Sequence, residues 1–211
     1  MPSPKINRVT LAACGLVWAL AILMGFRVSW GYENTPGTAG TPPTQWPADS
    51  KIQAAEDRAT LVMMAHPRCP CSRASINELA LLMTRCQGLV TAHVLFVRPA
   101  GLPEGWEESD LWHSAAAIPG VSVVSDVEGV EARRFHAATS GEVVLYDSRG
   151  RLLFSWGITV SRGHSGDNAG RSSIVSLLTE GKAEQTRTFV FGCSLLDSSS
   201  QCDREAESCK Q

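Results

Sequence analysis

Positive charge is in no excess in this chain. Lys and Arg together number 19 against 21 Asp and Glu, a formal net charge of −2. That excludes the electrostatic grip on a phosphate backbone that nucleic-acid binding needs, so no nucleic-acid partner is expected. No internal repeat is visible, which excludes a solenoid or propeller. The Gly-rich stretch Ser161-Arg162-Gly163-His164-Ser165-Gly166-Asp167-Asn168-Ala169-Gly170-Arg171 lacks the Gly-Lys-Ser/Thr ending of a P-loop, which argues against nucleotide binding. Leu11-Ala12-Ala13-Cys14 has the letters of a lipobox, but the apolar stretch follows the cysteine instead of preceding it. Lipidation is therefore rejected, and Cys14 reads as an apolar residue within that stretch. With 211 residues, 44% of them apolar, the chain has material for one ordinary domain with a leader and a tail, and not for a second large core.

What is present begins with that leader. Lys5 and Arg8 precede residues 9–26, a run without a charged side chain. Such a run makes about 27 Å of helix at ~1.5 Å per residue, close to the thickness of a hydrocarbon core. Two cations before the run and Arg27 after it lean, by the positive-inside rule, toward a cytoplasmic N-terminus and a periplasmic or exoplasmic remainder. Trp30 sits where an interfacial aromatic would. Residues 1–30 are thus expected to be a signal anchor, a single transmembrane helix. The competing reading is a cleaved signal peptide with Ser29-Trp30-Gly31 as its small-x-small site.

Residues 31–48 turn to Gly, Pro, Thr and Asn with few apolar side chains, which predicts a linker without packed structure. Residues 196–211, rich in Ser and charge, predict a flexible tail. Between them, over 49–195, apolar and polar runs alternate. Residues 60–65 read as a buried strand stopped at His66-Pro67. Ile76, Leu79, Ala80, Met83 and Cys86 recur at helical spacing and predict a helix over 70–86. Strands follow over 90–97 and 121–125, with helices over 107–117 and 129–137. Residues 142–146 and 151–156 flank Asp147-Ser148-Arg149-Gly150, whose Asp and Gly suit a hairpin turn. A last helix is expected over 170–179, with Asp167 or Asn168 as its N-cap. The series βαβαβα, a β-hairpin and a final helix predicts an α/β fold, a mixed sheet with helices on both faces.

The chain carries seven cysteines. Cys86 lies on the apolar helix face and reads as core. Cys202 and Cys209 lie in the tail, where an oxidising compartment would bridge them. Cys193 closes an apolar run, Thr188-Phe189-Val190-Phe191-Gly192-Cys193, beyond the last helix. That run is expected to return across the domain, with Cys193 either a third redox or metal thiol or a staple for the tail. Cys69 and Cys71 flank Pro70 at a strand-to-helix junction. Pro favours the first helical position, so Cys69 becomes the N-cap. A sulfur there is expected to lie against unpaired N–H groups and the positive end of the helix dipole, which favours thiolate. Arg68 and Arg73 are expected to add positive potential. Cys69 is the candidate nucleophile and Cys71 the candidate resolving thiol.

The element order, with Leu61-Val62-Met63-Met64-Ala65-His66-Pro67-Arg68-Cys69-Pro70-Cys71 at the first strand-to-helix junction, resembles the thioredoxin-like superfamily, in particular its membrane-tethered bacterial members of the TlpA and Sco kinds. The resemblance covers residues 51–180. It implies a thioredoxin-like fold and thiol-disulfide exchange with exported protein thiols or disulfides, for which no cofactor is required. The family carries two or three residues between its cysteines where this chain has Pro70 alone. Its cis-proline before the hairpin is replaced here by Thr139-Ser140-Gly141.

Three roles are open for the pair. It cycles between dithiol and disulfide through a mixed disulfide; closing a ring across one residue would make a strained, oxidising bridge. Alternatively it binds copper as Cu(I), or another thiophilic metal, with His66 or His164 as a further ligand, in a metallochaperone or assembly factor. The lost cis-proline helps that reading, because in thioredoxin-like proteins this residue is thought to keep metals from the thiols. In the third role Cys69 or Cys71 forms a fixed bridge with Cys193. His93, His113 and His136 lack thiol or acidic company and receive no role.

Overall fold

A computed structural model of the protein describes residues 7–196. The tail cysteines Cys202 and Cys209, and with them their expected local bridge, lie outside the described residues. The chain divides into two compact units between Thr35 and Pro36.

The first unit is helix α1 (Arg8–Asn34), begun by Asn7, whose side chain accepts from the backbone N–H of Val9. It is long and apolar enough to cross a membrane. The helix outruns the uncharged stretch because its last turn is satisfied locally: Asn34 Nδ2 donates to the carbonyl of Trp30 and Thr35 Oγ1 to that of Gly31.

The second unit is built on a five-stranded sheet of order β3-β2-β1-β4-β5. Strand β1 (Ala59–Ala65) is central and buried along its whole length, which is why its sequence is a continuous apolar run and not an alternating one. It pairs in parallel with β2 (Val90–Arg98), which pairs in parallel with edge strand β3 (Val121–Val127). On its other side β1 runs antiparallel to β4 (Glu142–Tyr146), which forms the expected hairpin with β5 (Leu152–Trp156) through a turn closed by the Gly150 N–H on the Asp147 carbonyl. Odd-numbered β1 residues Leu61 and Met63 face one core with helices α2 (Pro70–Arg85), α3 (Asp110–Ala116) and α5 (Ala169–Glu180). Even-numbered Val62 and Met64 face a second core under the short helix α4 (Val130–Arg134). This is the thioredoxin-like mixed sheet with helices on both faces that the sequence predicts.

Helix α3 starts three residues later than the predicted 107, because Glu107 is not on a helical face: it is buried and its carboxylate accepts from Ser125 Oγ on β3. Asn168, and not Asp167, caps α5, accepting from the Arg171 N–H at 2.8 Å.

The segment predicted as an unstructured linker is different from Pro36 onward. Gly40 N–H donates to buried Glu142, Tyr146 Oη donates to the Pro43 carbonyl, and Leu152 N–H donates to the Thr44 carbonyl. Trp46 packs edge-on against Phe135 and Tyr146, each at 5.2 Å between ring centroids. A segment poor in apolar residues is held because its backbone groups find partners on the domain and one indole supplies the apolar contact. The closing segment also returns across the domain, as expected. Ser155 N–H donates to the Thr186 carbonyl, Ser140 N–H to that of Cys193, and Leu195 N–H to that of Ala138.

Candidate functional site

The site begins where β1 ends. Ala65 leads through His66-Pro67-Arg68 to Cys69, whose extended backbone (φ −83°, ψ 116°) makes it the N-cap of α2, with Pro70 at the head of the helix. The predicted cap geometry holds for the backbone. The sulfur behaves differently: it makes no capping hydrogen bond, and the Ser72 N–H donates instead to the Cys69 carbonyl at 3.1 Å. Cys69 Sγ is directed to Cys193 Sγ, 3.3 Å away, and with Cys71 the three sulfurs lie within 4.8 Å of one another. Cys69 and Cys71 are buried, at 0% and 5% exposure, whereas Cys193 is half-buried.

Two glycines let the closing segment come this close. A Cβ on Gly192 would stand 1.9 Å from the Ser140 carbonyl oxygen. Gly141, at φ +90°, occupies the left-handed region and would push a Cβ to 2.6 Å from Ser75 Oγ on α2. Gly192→Ala is therefore expected to lift Cys193 off Cys69. The measurable result is faster alkylation of Cys69 in the native protein, by roughly tenfold or more, since even modest local opening exposes a thiol that is otherwise shielded.

Ser140 stands in the stretch where the resemblance places a cis-proline, and it joins three elements. Its Oγ accepts from the His66 N–H at 2.8 Å and lies 2.7 Å from Ser72 Oγ on α2. The missing proline draws attention to this stretch in the sequence, but the role of Ser140 is not legible there, because its partners lie 74 and 68 residues away.

The electrostatics also differ from the expected pattern. Arg68 lies 4.5 Å over the Trp106 ring and Arg73 pairs with Asp110, so both are engaged away from the sulfurs. The cation at the cluster is Arg162, which donates to the Gly192 carbonyl beside Cys193. The contact with Cys193 draws the Cys71 pKa down, but hydrogen bonding and charge from Cys69, together with burial, leave it above the ordinary thiol value. Arg162 opposes that rise. Removing a positive potential disfavours the anion, so Arg162→Ala is expected to move Cys71 ionisation to still higher pH. Thiolate absorbance followed against pH, with the other cysteines replaced, reads that shift.

The loop that carries Arg162 is anchored at its far end by a buried pair. Glu78 on α2, with no exposed side chain, accepts from Gly166 N–H at 2.7 Å and Asn168 Nδ2 at 3.0 Å, and pairs with Arg171. The loop 161–168 is thereby tied to the helix that carries Cys71.

The histidines predicted as metal ligands lie outside the three-sulfur group. His66 is buried, meets Trp106 edge-on at 5.8 Å, and its Nδ1 accepts from the Arg68 N–H at 3.3 Å. His164 is exposed, with Nδ1 2.7 Å from the Arg162 carbonyl oxygen. Cys86 is core, as read from the helical spacing, and burial pushes its thiol pKa up.

No protein-family model and no curated protein matches this sequence. Among solved structures, a hypothetical protein of Sinorhizobium meliloti is similar at 20% identity, over 78% of this chain and 96% of that one, with a TM-score of 0.57. An uncharacterized conserved protein of Geobacillus kaustophilus is similar at 20% identity, over 79% and 94%, with a TM-score of 0.56. A peroxiredoxin-like protein of Aquifex aeolicus is a more distant likeness, at 13% identity, 70% and 88% coverage and a TM-score of 0.43. The first two likenesses bear on the fold alone.

Proposed function

We propose that the protein is a thiol-disulfide oxidoreductase anchored by α1, with its thioredoxin-like unit on the exoplasmic side, where it exchanges with exported protein thiols or disulfides. The observation that carries this reading is the 3.3 Å approach of Cys69 and Cys193 sulfurs at the head of α2, with Cys71 beside them. Exposure favours roles other than those the sequence suggests, which make Cys69 the nucleophile and Cys71 the resolving thiol. Cys69 is fully buried while Cys193 is half-exposed, so Cys193 is the thiol an incoming protein disulfide meets first. Its thiolate attacks one substrate sulfur, forming a mixed disulfide and releasing the other substrate sulfur as thiolate. Cys69 then attacks Cys193, releasing the second substrate thiolate and leaving a Cys69–Cys193 disulfide; two electrons pass to the substrate. The steps run backwards when the protein oxidises a dithiol. A Cys69–Cys71 bridge would have to close across Pro70 alone, so Cys71 is a neighbour that tunes the pair and not its first partner.

The test is reduction of insulin disulfides, and oxidation of a dithiol peptide, by the full chain in detergent. Activity above that of the Cys69→Ser, Cys71→Ser double variant supports the reading. Activity equal to it in both directions removes the reading.

A further inference from the structure

Three reduced sulfurs gathered at one point can do more than exchange disulfides. We propose that Cys69, Cys71 and Cys193 form a binding site for a trivalent thiophilic metalloid, arsenite or antimonite, held as a three-sulfur adduct without net charge. This goes beyond the exchange reaction and needs only that the three residues be thiols.

Geometry sets the coordination number. A pyramidal centre bonded to three sulfurs at about 2.3 Å, the length of a metal–thiolate bond, holds them roughly 3.5 Å apart. The closest pair already stands at 3.3 Å and no pair exceeds 4.8 Å, so side-chain rotations that move a sulfur by about 1 Å close the site. No fourth ligand joins the group among the described residues. His66 Nδ1 is turned to the Arg68 N–H, and His164 is exposed on the loop carbonyl.

Charge selects among soft centres. Two of the sulfurs are buried, and among the described residues Arg162 brings a guanidinium to the cluster, while Arg68 lies over Trp106 and Arg73 pairs with Asp110. A monovalent ion such as Cu(I) on three thiolates leaves two negative charges, of which Arg162 offsets one. A divalent ion leaves one charge that depends on Arg162 for its compensation and, for zinc, an unfilled fourth position. Burying such charge is expensive. A trivalent metalloid leaves none and completes its coordination with three sulfurs and a lone pair.

The reaction balances without oxidant or reductant. Arsenous acid, As(OH)3, exchanges each As–O bond for an As–S bond. Each thiol proton leaves with a hydroxide as water, so three thiols give one adduct and three waters. Half-buried Cys193 is the point of entry, and the buried pair completes the adduct.

The full chain, reduced and kept without oxygen in detergent, is titrated with sodium arsenite and studied by intact mass and arsenic-edge X-ray absorption. Cys14→Ser, Cys202→Ser and Cys209→Ser are introduced together beforehand, and Cys86 is buried in the core, so that the remaining uptake belongs to the cluster. The expected result is one arsenic per chain, three hydrogens lost from the protein, and three sulfur neighbours with no oxygen. Cys193→Ser lowers the apparent affinity by roughly tenfold or more and leaves an oxygen in the first coordination sphere. Two sulfurs and one oxygen in the unmutated cluster overturn the proposal. So does uptake indifferent to Cys193→Ser, or displacement of arsenite by equimolar Cu(I). Absorption counts bonds in the unmutated cluster, so a variant that folds poorly leaves the test intact. A chain inactive on insulin that still gives the three-sulfur signal separates this site from the exchange reaction.

Discussion

Cys193→Ser is expected to bring disulfide exchange down to background, a loss of roughly 100-fold or more, of the scale seen when a nucleophile is removed. Cys69→Ser gives a different outcome: it accumulates a mixed disulfide between Cys193 and the substrate. The asymmetry follows from exposure and distance. Cys193 is the most exposed of the three cysteines, while Cys69 is fully buried with its sulfur 3.3 Å away. A serine at 193 leaves no thiolate at the surface to begin the reaction. A serine at 69 leaves the first attack possible and removes the thiol that would release the substrate. Incubation of each variant with a disulfide peptide, followed by mass mapping, distinguishes the two. A mixed disulfide on Cys69 in the Cys193→Ser variant, formed as fast as the exchange in the unmodified chain, would sink the assignment and restore Cys69 as the first nucleophile. Cys71→Ser sits between these extremes, retaining exchange with an altered pH dependence, because the residue shares hydrogen bonds with both partners and charge with Cys69.

What the sequence disclosed and what it hid divide along the range of the interactions. The apolar run of β1, the helical spacing of Ile76, Leu79 and Met83, and the Asp147–Gly150 turn are local patterns, and each element stands within a residue or two of its expected place. The Cys69-Pro70 cap is local too, and its backbone is as read. The sulfur's direction is set by Cys193, 124 residues away, and by the close approach of Gly192 to Ser140, neither of which leaves a periodic trace. The error over residues 36–48 has a different cause. Composition measures apolar burial, whereas that segment is fixed largely by backbone groups meeting Glu142, Tyr146 and Leu152. No local pattern marks Glu78 or Glu142 as interior, yet both are buried. Arg162 is legible in the sequence only as part of a Gly-rich loop, and the bond that brings it to the Gly192 carbonyl is made 30 residues away.

That anchor gives the largest expected change in stability. Arg171→Met leaves Glu78 buried with its charge uncompensated, and is expected to destabilise the domain by roughly 3–5 kcal/mol. Both side chains are almost wholly inaccessible, at 4% for Arg171 and 0% for Glu78, so water cannot replace the lost partner. The double variant Glu78→Leu, Arg171→Met is expected to recover most of that loss, because removing both charges also removes their desolvation and the burial of Arg171 Nε, which has no partner. Denaturant unfolding of the full chain in detergent measures all three. Stability and site then part company. In the double variant Gly166 N–H and Asn168 Nδ2 have lost the carboxylate that held the loop, so Arg162 is no longer kept at the Gly192 carbonyl. A refolded core is expected to carry a Cys71 that ionises at higher pH than in the unmodified protein, as in Arg162→Ala. A double variant as unstable as Arg171→Met would show that the pair contributes net stability. One with unchanged Cys71 titration would show that Arg162 is placed by its own contacts and not by the Glu78 anchor.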